Sequence, residues 1–285
     1  MSNHDRSQDR PAPTVALVAC RRLIDGRFVK SEARVVIEKE LSIFINGEHL
    51  VTASIVPAME REFVTGYLFG QGFIENIAEL ESINIEGDAA RVTVKDAPKI
   101  SQRTKKTDYR VVSGGGQAVF FDETYFPQIS TQMKFGKKEI FKAMNTVFEK
   151  ARIYNETEGV HAAGLFTPEA SPICIVEDIG RHNTLDKVIG YALINKIDCE
   201  NTLLASTGRM ASEMVAKICR AQIPVVATKT AVTRSGLEIG KRCGLTIIGF
   251  VRDTGTRIHT NMEVRTIIEP GMKIYTNPER ISFEG

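Results

Sequence analysis

The sequence contains no tryptophan, and its five cysteines (Cys20, Cys174, Cys199, Cys219 and Cys243) are so dispersed that the nearest two stand 20 residues apart. An odd, scattered set excludes a disulfide scaffold, and without any C-x-x-C pair there is no zinc-type cysteine cluster. No apolar run approaches the roughly 20 residues of a transmembrane helix; even the stretch from Gly244 to Val251 has only the length of a strand. Charge of one sign is missing too, since Lys and Arg number 37 against 35 Asp and Glu, a net charge of +2. Nucleic-acid binding through bulk charge is thereby excluded, and any anion site must be local. Gly114, Gly115 and Gly116 are not followed by the Gly-Lys-Ser/Thr of a phosphate loop, Gly-x-Ser-x-Gly is absent, and so is the paired H-x-E and P-C-x-x-C signature of zinc deaminases. No metal site and no zinc are expected.

What remains is an ordinary globular composition, with 42% hydrophobic residues, 25% charged and 10 prolines among 285 residues. That length suits one large domain or two ordinary ones. Residues 1–13 are polar and proline-flanked and read as a disordered tail. The apolar stretch from Val15 to Ala19 is too short for a signal sequence, so a cytoplasmic location is expected. Residues 14–96 read as an N-terminal α+β lobe. Strands run through Ala33 to Ile45 with a turn at Asn46-Gly47, a helix follows Pro57 through Phe63, Val64, Tyr67 and Leu68, and a second hairpin turns at Gly87-Asp88. Residues 97–117 lose apolar periodicity, carry Lys99, Arg103, Lys105, Lys106 and Arg110, and end in Ser113, Gly114, Gly115 and Gly116: a basic, glycine-rich loop that reads either as an exposed functional loop or as a solvated linker.

From 118 to 285 the chain alternates strands with amphipathic helices. A helix is expected from about 137 to 152, then strands 161–166 and 173–177, helix 180–195, strand 202–206, helix 209–221, strand 224–228, helix 233–243 and strand 245–251. Single-helix connections imply crossovers and a largely parallel sheet covered by helices, so the fold class is α/β with a three-layer domain.

Two units resemble each other. Glu177-Asp-Ile-Gly-Arg181 and Ala205-Ser-Thr-Gly-Arg209 each place Gly-Arg at a strand's C-terminal end. There free helix N–H groups, a glycine that permits close approach and a guanidinium fork would favour phosphate. Gly180, Arg181, Ser206, Gly208 and Arg209 are therefore candidate ligand residues; the other reading is that glycine serves only the turn and arginine only a neighbouring carboxylate. On helix 180–195 the apolar stripe of Leu185, Val188, Ile189, Ala192 and Leu193 leaves His182, Asn183, Asp186 and Lys187 on the opposite face. Those four read as ligand-facing groups or as solvated i, i+4 pairs. His161, at a strand start, is either aimed at the same ligand or structural. Cys174, Cys219 and Cys243 fall where buried structural thiols belong, whereas Cys20 and Cys199 are expected to be more exposed.

Glu177-Asp-Ile-Gly-Arg-His-Asn-Thr-Leu-Asp-Lys-Val-Ile-Gly190, with Gly159-Val-His-Ala-Ala163 before it and Ser206-Thr-Gly-Arg-Met-Ala-Ser-Glu213 after it, resembles the FdhD family of formate dehydrogenase accessory sulfurtransferases. The resemblance continues through Thr230-Ala-Val-Thr233, Gly244 to Arg252 and the Gly66-Tyr-Leu-Phe-Gly-Gln-Gly-Phe-Ile74 segment, and covers roughly residues 15–281. It implies a small N-terminal lobe and a cytidine-deaminase-like α/β/α domain without the deaminase zinc site, in a cytoplasmic homodimer. It implies further that sulfane sulfur passes from a cysteine desulfurase to a loop cysteine and on to a bis(molybdopterin guanine dinucleotide) molybdenum or tungsten cofactor destined for formate dehydrogenase. By the same resemblance the cofactor pocket includes Phe250, Val251, Arg252, Asp253, Thr254 and Gly255. Neither a nucleic-acid nor a membrane partner is implied. Two departures stand out. The family's C-G-x-C-G loop motif is replaced by Ser113, Gly114, Gly115 and Gly116, set between Val112 and Gln117, and about 20 residues separate Arg252 from Met272 where the family has few. A serine hydroxyl cannot replace a persulfide-bearing thiolate. The alternatives are a non-catalytic cofactor-binding chaperone without the persulfide cysteine and, on fold alone, a nucleotide-directed hydrolase or deaminase.

Overall fold

Alternating apolar positions build the N-terminal sheet. In the computed structural model, which describes residues 12–95, 110–111, 117–118, 127–253, 257–259, 264–266 and 270–282, the chain opens with an antiparallel hairpin of β1 (Val15–Ile24) and β2 (Arg27–Val36). Its turn is Asp25-Gly26, both at positive φ (48° and 75°), the pairing that two-residue hairpins favour. Next come β3 (Lys39–Ile45) and β4 (Glu48–Ile55), joined at the expected Asn46-Gly47 turn, also at positive φ. The helix α1 (Glu60–Gly70) precedes β5 (Leu80–Glu86) and β6 (Ala89–Val94), which turn at Gly87 as expected. The four strands order as β4-β3-β6-β5. Leu41, Ile43, Ile45, Ala90, Val92 and Val94 point inward to one core with Phe63, Val64 and Leu68 of α1.

The second half holds α2 (Lys137–Lys150), α3 (Arg152–Thr157), β7 (His161–Phe166), β8 (Pro172–Asp178), α4 (Arg181–Ile194), β9 (Leu203–Ser206), α5 (Ser212–Arg220), β10 (Val225–Thr228), α6 (Arg234–Cys243), β11 (Thr246–Arg252) and β12 (Gly271–Ile274). The sheet order is β8-β7-β9-β10-β11-β12. Ile140, Ala143, Met144 and Val147 of α2 pack on one face with Ala162, Phe166, Leu203, Ala205 and Val225, while α4, α5 and α6 cover the other with Leu185, Val188, Met214, Val215, Ile218 and Ile239 against Ala163, Leu165, Leu204, Val226 and Ile247. Burial on both faces explains why β9 and β10 read as continuous apolar runs. Each fully buried aliphatic side chain contributes roughly 1.5–3 kcal/mol.

The α/β class is as expected, but the sheet is not largely parallel. Only β9/β10 and β10/β11 pair in parallel; β7 is antiparallel to both β8 and β9, and β12 to β11. The link Thr167 to Ser171 is too short for a crossover and forces a hairpin. The α4 crossover therefore carries the chain from β8 past β7 to β9. The helix expected over 137–152 ends at Lys150, and α3 begins at Arg152. The helix expected from 209 starts only at Ser212, because Met210 is held in a strand-like bridge to Val232.

The tail 1–11 and most of the 97–117 loop lie outside the described residues. So do the four residues that stand in place of the family's cysteine motif, Ser113, Gly114, Gly115 and Gly116, and the expected pocket residues Thr254 and Gly255. Within the long segment after Arg252, Arg257–His259 pairs antiparallel with Val264–Thr266.

Candidate functional site

The two Gly-Arg turns meet. Gly180 caps α4, so Arg181 is its first residue, and a Cβ placed on Gly208 would lie 2.9 Å from the Cβ of Arg181 and 3.4 Å from Oγ of Ser206. The Ser206 hydroxyl accepts the Gly208 amide at 3.0 Å, and the Gly208 carbonyl accepts from Oγ1 of Thr228 at 2.6 Å, which ties the β9 turn to the β10 turn. Burial, and then the nearby charge of Arg209, lower the pKa of Arg181, with Glu213 opposing them. Arg209 itself is exposed. The positive end of the α4 dipole thus meets two guanidiniums, whereas α5 begins three residues beyond Arg209 and offers that turn no helix end.

Beside these turns opens a cleft of about 370 Å³ lined by Tyr154, Glu158, His161, Thr207, Lys229 and Thr230 among others. Nδ1 of His161 lies 3.3 Å from Oγ1 of Thr207, which already accepts the Ala162 amide at 3.0 Å and so has its own proton free to give to the imidazole. Burial and then Arg181 lower the His161 pKa, against the pull of Asp178. Lys229 lies 4.6 Å over the Phe148 ring, with a pKa lowered by burial and then by Arg252. Phe250 adopts φ 54°, a left-handed conformation that costs a bulky residue energy and recurs at functional sites. Two cations lie over its ring, Lys273 at 4.9 Å and Arg252 at 5.5 Å. Nε of Arg252, Nε2 of His182 and Oε2 of Glu213 are buried without a hydrogen-bond partner, as groups awaiting a polar ligand would be. Burial first, then Lys217, Arg181, His161 and Arg209, hold His182 neutral with a pKa of about 3.

Five expected ligand residues are committed elsewhere. Lys187 and Asp186 are not on an open face of α4: Lys187 is 0% and Asp186 1% exposed. Nζ of Lys187 pairs with Asp178 at 2.6 Å and donates to the carbonyls of Val56 and Glu177, each at 3.2 Å. Asp178 also accepts the amides of Val56 and Gly180 and the Asn183 side chain, which in turn donates to the Ser54 carbonyl. Asp186 is held by Lys217 at 2.6 Å. The opposite face of α4 is covered by the N-terminal half, which the α4 sequence alone does not disclose. Val251 is buried in the α2-side core, and Asp253 accepts a hydrogen bond from Asn145 at 2.8 Å. Sequence reasoning missed Thr207, Lys229, Thr230 and Lys273; Lys229 follows a parallel strand directly, and the rule that ligands sit beyond such strand ends points to it.

Cys174, Cys219 and Cys243 are buried as expected, and Cys20 is exposed. Cys199 is half-buried rather than exposed, and burial, then Asp198, push its thiol up to about 12. Among the described residues no three His, Cys, Asp or Glu side chains group to hold a metal ion, and no helix is long and apolar enough to cross a membrane.

Fold and site together define an α/β protein with a cluster of basic side chains at the strand ends of a mixed sheet. The model of the FdhD/NarQ family matches residues 36–282, and the chain belongs to that family. It is 31% identical over 252 residues to a sulfur carrier protein FdhD of Wolinella succinogenes, covering 87% of this chain and 88% of the relative. To a protein of the same description from Methanothermobacter thermautotrophicus it is 31% identical, over 91% and 98% of the two chains. A solved structure from Desulfotalea psychrophila, described as a formate dehydrogenase accessory protein, shares the fold with a TM-score of 0.74 at 24% identity, covering 95% of this chain and all of that one.

Proposed function

We propose that the protein is a formate dehydrogenase accessory protein that carries a bis(molybdopterin guanine dinucleotide) molybdenum or tungsten cofactor as cargo. The observation that carries this reading is the contact between the Gly180-Arg181 and Gly208-Arg209 turns, which brings two guanidiniums together next to the cleft that His161 shares with Lys229, itself close enough to Arg252 to feel its charge. A diphosphate matches that chemistry: bidentate guanidinium donors fix its oxygens, and a site cleared of bulk water strengthens each charge-assisted bond. His161, His182 and Phe250 would flank the nucleotide. Val112 to Gln117, with Ser113, Gly114, Gly115 and Gly116 between them, contain no thiol, so sulfane sulfur cannot be held there, and the role is that of a carrier that protects and presents the cofactor. Formate dehydrogenase as recipient, a homodimeric state and a cytoplasmic setting complete the reading, on the strength of the family.

Calorimetry with guanosine diphosphate tests it. Micromolar binding is expected, and Arg181→Gln and Arg209→Gln should each weaken it by about 1–3 kcal/mol. Absence of binding, or binding indifferent to both changes, removes the diphosphate argument. Stoichiometric zinc in the purified protein would instead favour a hydrolase.

A further inference from the structure

Every large apolar side chain exposed among the described residues lies on the β1–β2 hairpin, with Leu17 (62%), Leu23 (60%) and Phe28 (72%) the most open. The ribbon is anchored only at its base. Val15 and Val36 pack with Val56, Ile153 and Val160, the Ile37 amide bonds the Thr14 carbonyl, and Arg34 pairs with Glu156 at 2.8 Å. From Leu17 to Lys30 every residue is exposed. A two-stranded ribbon standing free is marginally stable in water, and both its edges carry unpaired backbone groups.

Charge selects what covers it. Residues 15–36 hold five Lys and Arg against two Asp and Glu, a net +3, whereas residues 37–95 hold ten acids against four bases, a net −6. The acids gather where backbone groups are also unpaired: β5 is an outer strand of its sheet and exposes Glu81 and Glu86, with Glu75 and Asp88 exposed close by in sequence. Ile83 and Ile85, partly buried against the core, alternate along β5 with exposed Ser82, Asn84 and Glu86.

We propose that the β1–β2 ribbon docks by strand addition along β5 of a second copy of the chain, each copy giving its ribbon and receiving the other's. Reciprocity closes a two-fold dimer and doubles the contact, and Arg21, Arg22, Arg27 and Lys30 lie against the acidic edge. This names the contact of the homodimer proposed above and rests on that reading.

Sedimentation velocity of the full chain over a range of protein concentrations is the test. The wild-type chain should dimerise, more weakly at high salt. Arg22→Glu/Arg27→Glu and Glu81→Lys/Glu86→Lys should each weaken the dimer at least about tenfold, and combining the four changes should restore most of it. Urea midpoints that are unchanged at a protein concentration where every chain is monomeric will show that each variant folds. A wild-type chain that stays monomeric overturns both this contact and the homodimer reading. A dimer indifferent to both charge reversals overturns the contact alone. Co-sedimentation of the wild type with phosphatidylglycerol vesicles, lost in Arg22→Glu/Arg27→Glu while the dimer is unaffected, overturns it in favour of a lipid surface.

Discussion

Gly66 and Gly190 hold α1 and α4 backbone to backbone. A Cβ on Gly66 would lie 1.8 Å from the carbonyl oxygen of Asp186, and one on Gly190 would lie 1.8 Å from that of Glu62. Neither glycine has an unusual φ, so the requirement is for space alone. The crossing clamps the N-terminal half to the helix that opens at Arg181, and so fixes the first turn of the candidate site.

Helix propensity says that glycine to alanine inside a helix gains about 1 kcal/mol. Here the sign reverses. The clash is with backbone, which cannot swing aside, so Gly66→Ala and Gly190→Ala should each destabilise by at least about 1–3 kcal/mol in urea unfolding. A gain in stability from either change would mean that the helices do not touch as described.

The buried pair of Lys187 and Asp178 gives a second expectation, one that separates a structural from a ligand role. Lys187→Met leaves a carboxylate buried without its counter-charge and should cost about 3–5 kcal/mol. The folded fraction should still bind guanosine diphosphate within about a factor of two of wild type, under about 0.5 kcal/mol. Lost binding with an unchanged unfolding midpoint would return Lys187 to the ligand set.

What the sequence disclosed and what it hid divide along the range of the interactions. Asn46-Gly47 and Gly87 specify their turns through local backbone preference, and Gly180-Arg181 and Gly208-Arg209 were legible because strand ends have a fixed chemistry. Asp25-Gly26 carries the same hairpin signal, but the apolar residues around it alternate poorly because neither face of the ribbon is covered. The partners of Lys187 and Asp186 are not local. On α4 they occupy a polar stripe that looks solvated, and only the packing of Val56, Asp178 and α1 around it makes that stripe an interior. The antiparallel course of β7 depends likewise on a chain reversal at Thr167 to Ser171, which a pattern of buried strands does not distinguish from a crossover.

His182 contributes to the response of stability to acid. Its native pKa of about 3 lies well below the roughly 6.5 of an unfolded chain. Between those values the unfolded state binds a proton that the native state refuses, so stability is greatest above pH 6.5 and falls as pH drops. The slope from this one group is at most about 1.4 kcal/mol per pH unit. His161 acts in the same direction. Urea unfolding at neutral and mildly acidic pH should show His182→Gln losing less stability than wild type over that interval. Parallel pH profiles for the two proteins would place the His182 imidazole in solvent.

Sulfur provides the last expectation. Transfer from a desulfurase needs an accessible thiolate, and the basic stretch Lys99 to Arg110 would lower the pKa of a neighbouring thiol, yet Val112 to Gln117 contain none. The other thiols are poorly placed. Cys174 is buried and pushed up to about 11, Cys199 is pushed up to about 12, and the hydrogen bond to Cys243, together with burial, raises Cys219; the same bond lowers Cys243, but that thiol is fully buried and out of reach of a partner protein. Cys20 alone is exposed, at the middle of β1 and away from the cleft. Incubation with a cysteine desulfurase and cysteine should therefore leave no persulfide on residues 111–117, and any label found by mass spectrometry should map to Cys20 at low yield. Ser113→Cys combined with Gly116→Cys should restore labelling, because a nucleophile is then supplied beside an intact basic stretch. Strong persulfidation of the unaltered protein at one cysteine, with formate dehydrogenase maturation lost when that residue becomes alanine, would show that the sulfur site has moved and that the chain is more than a carrier of the finished cofactor.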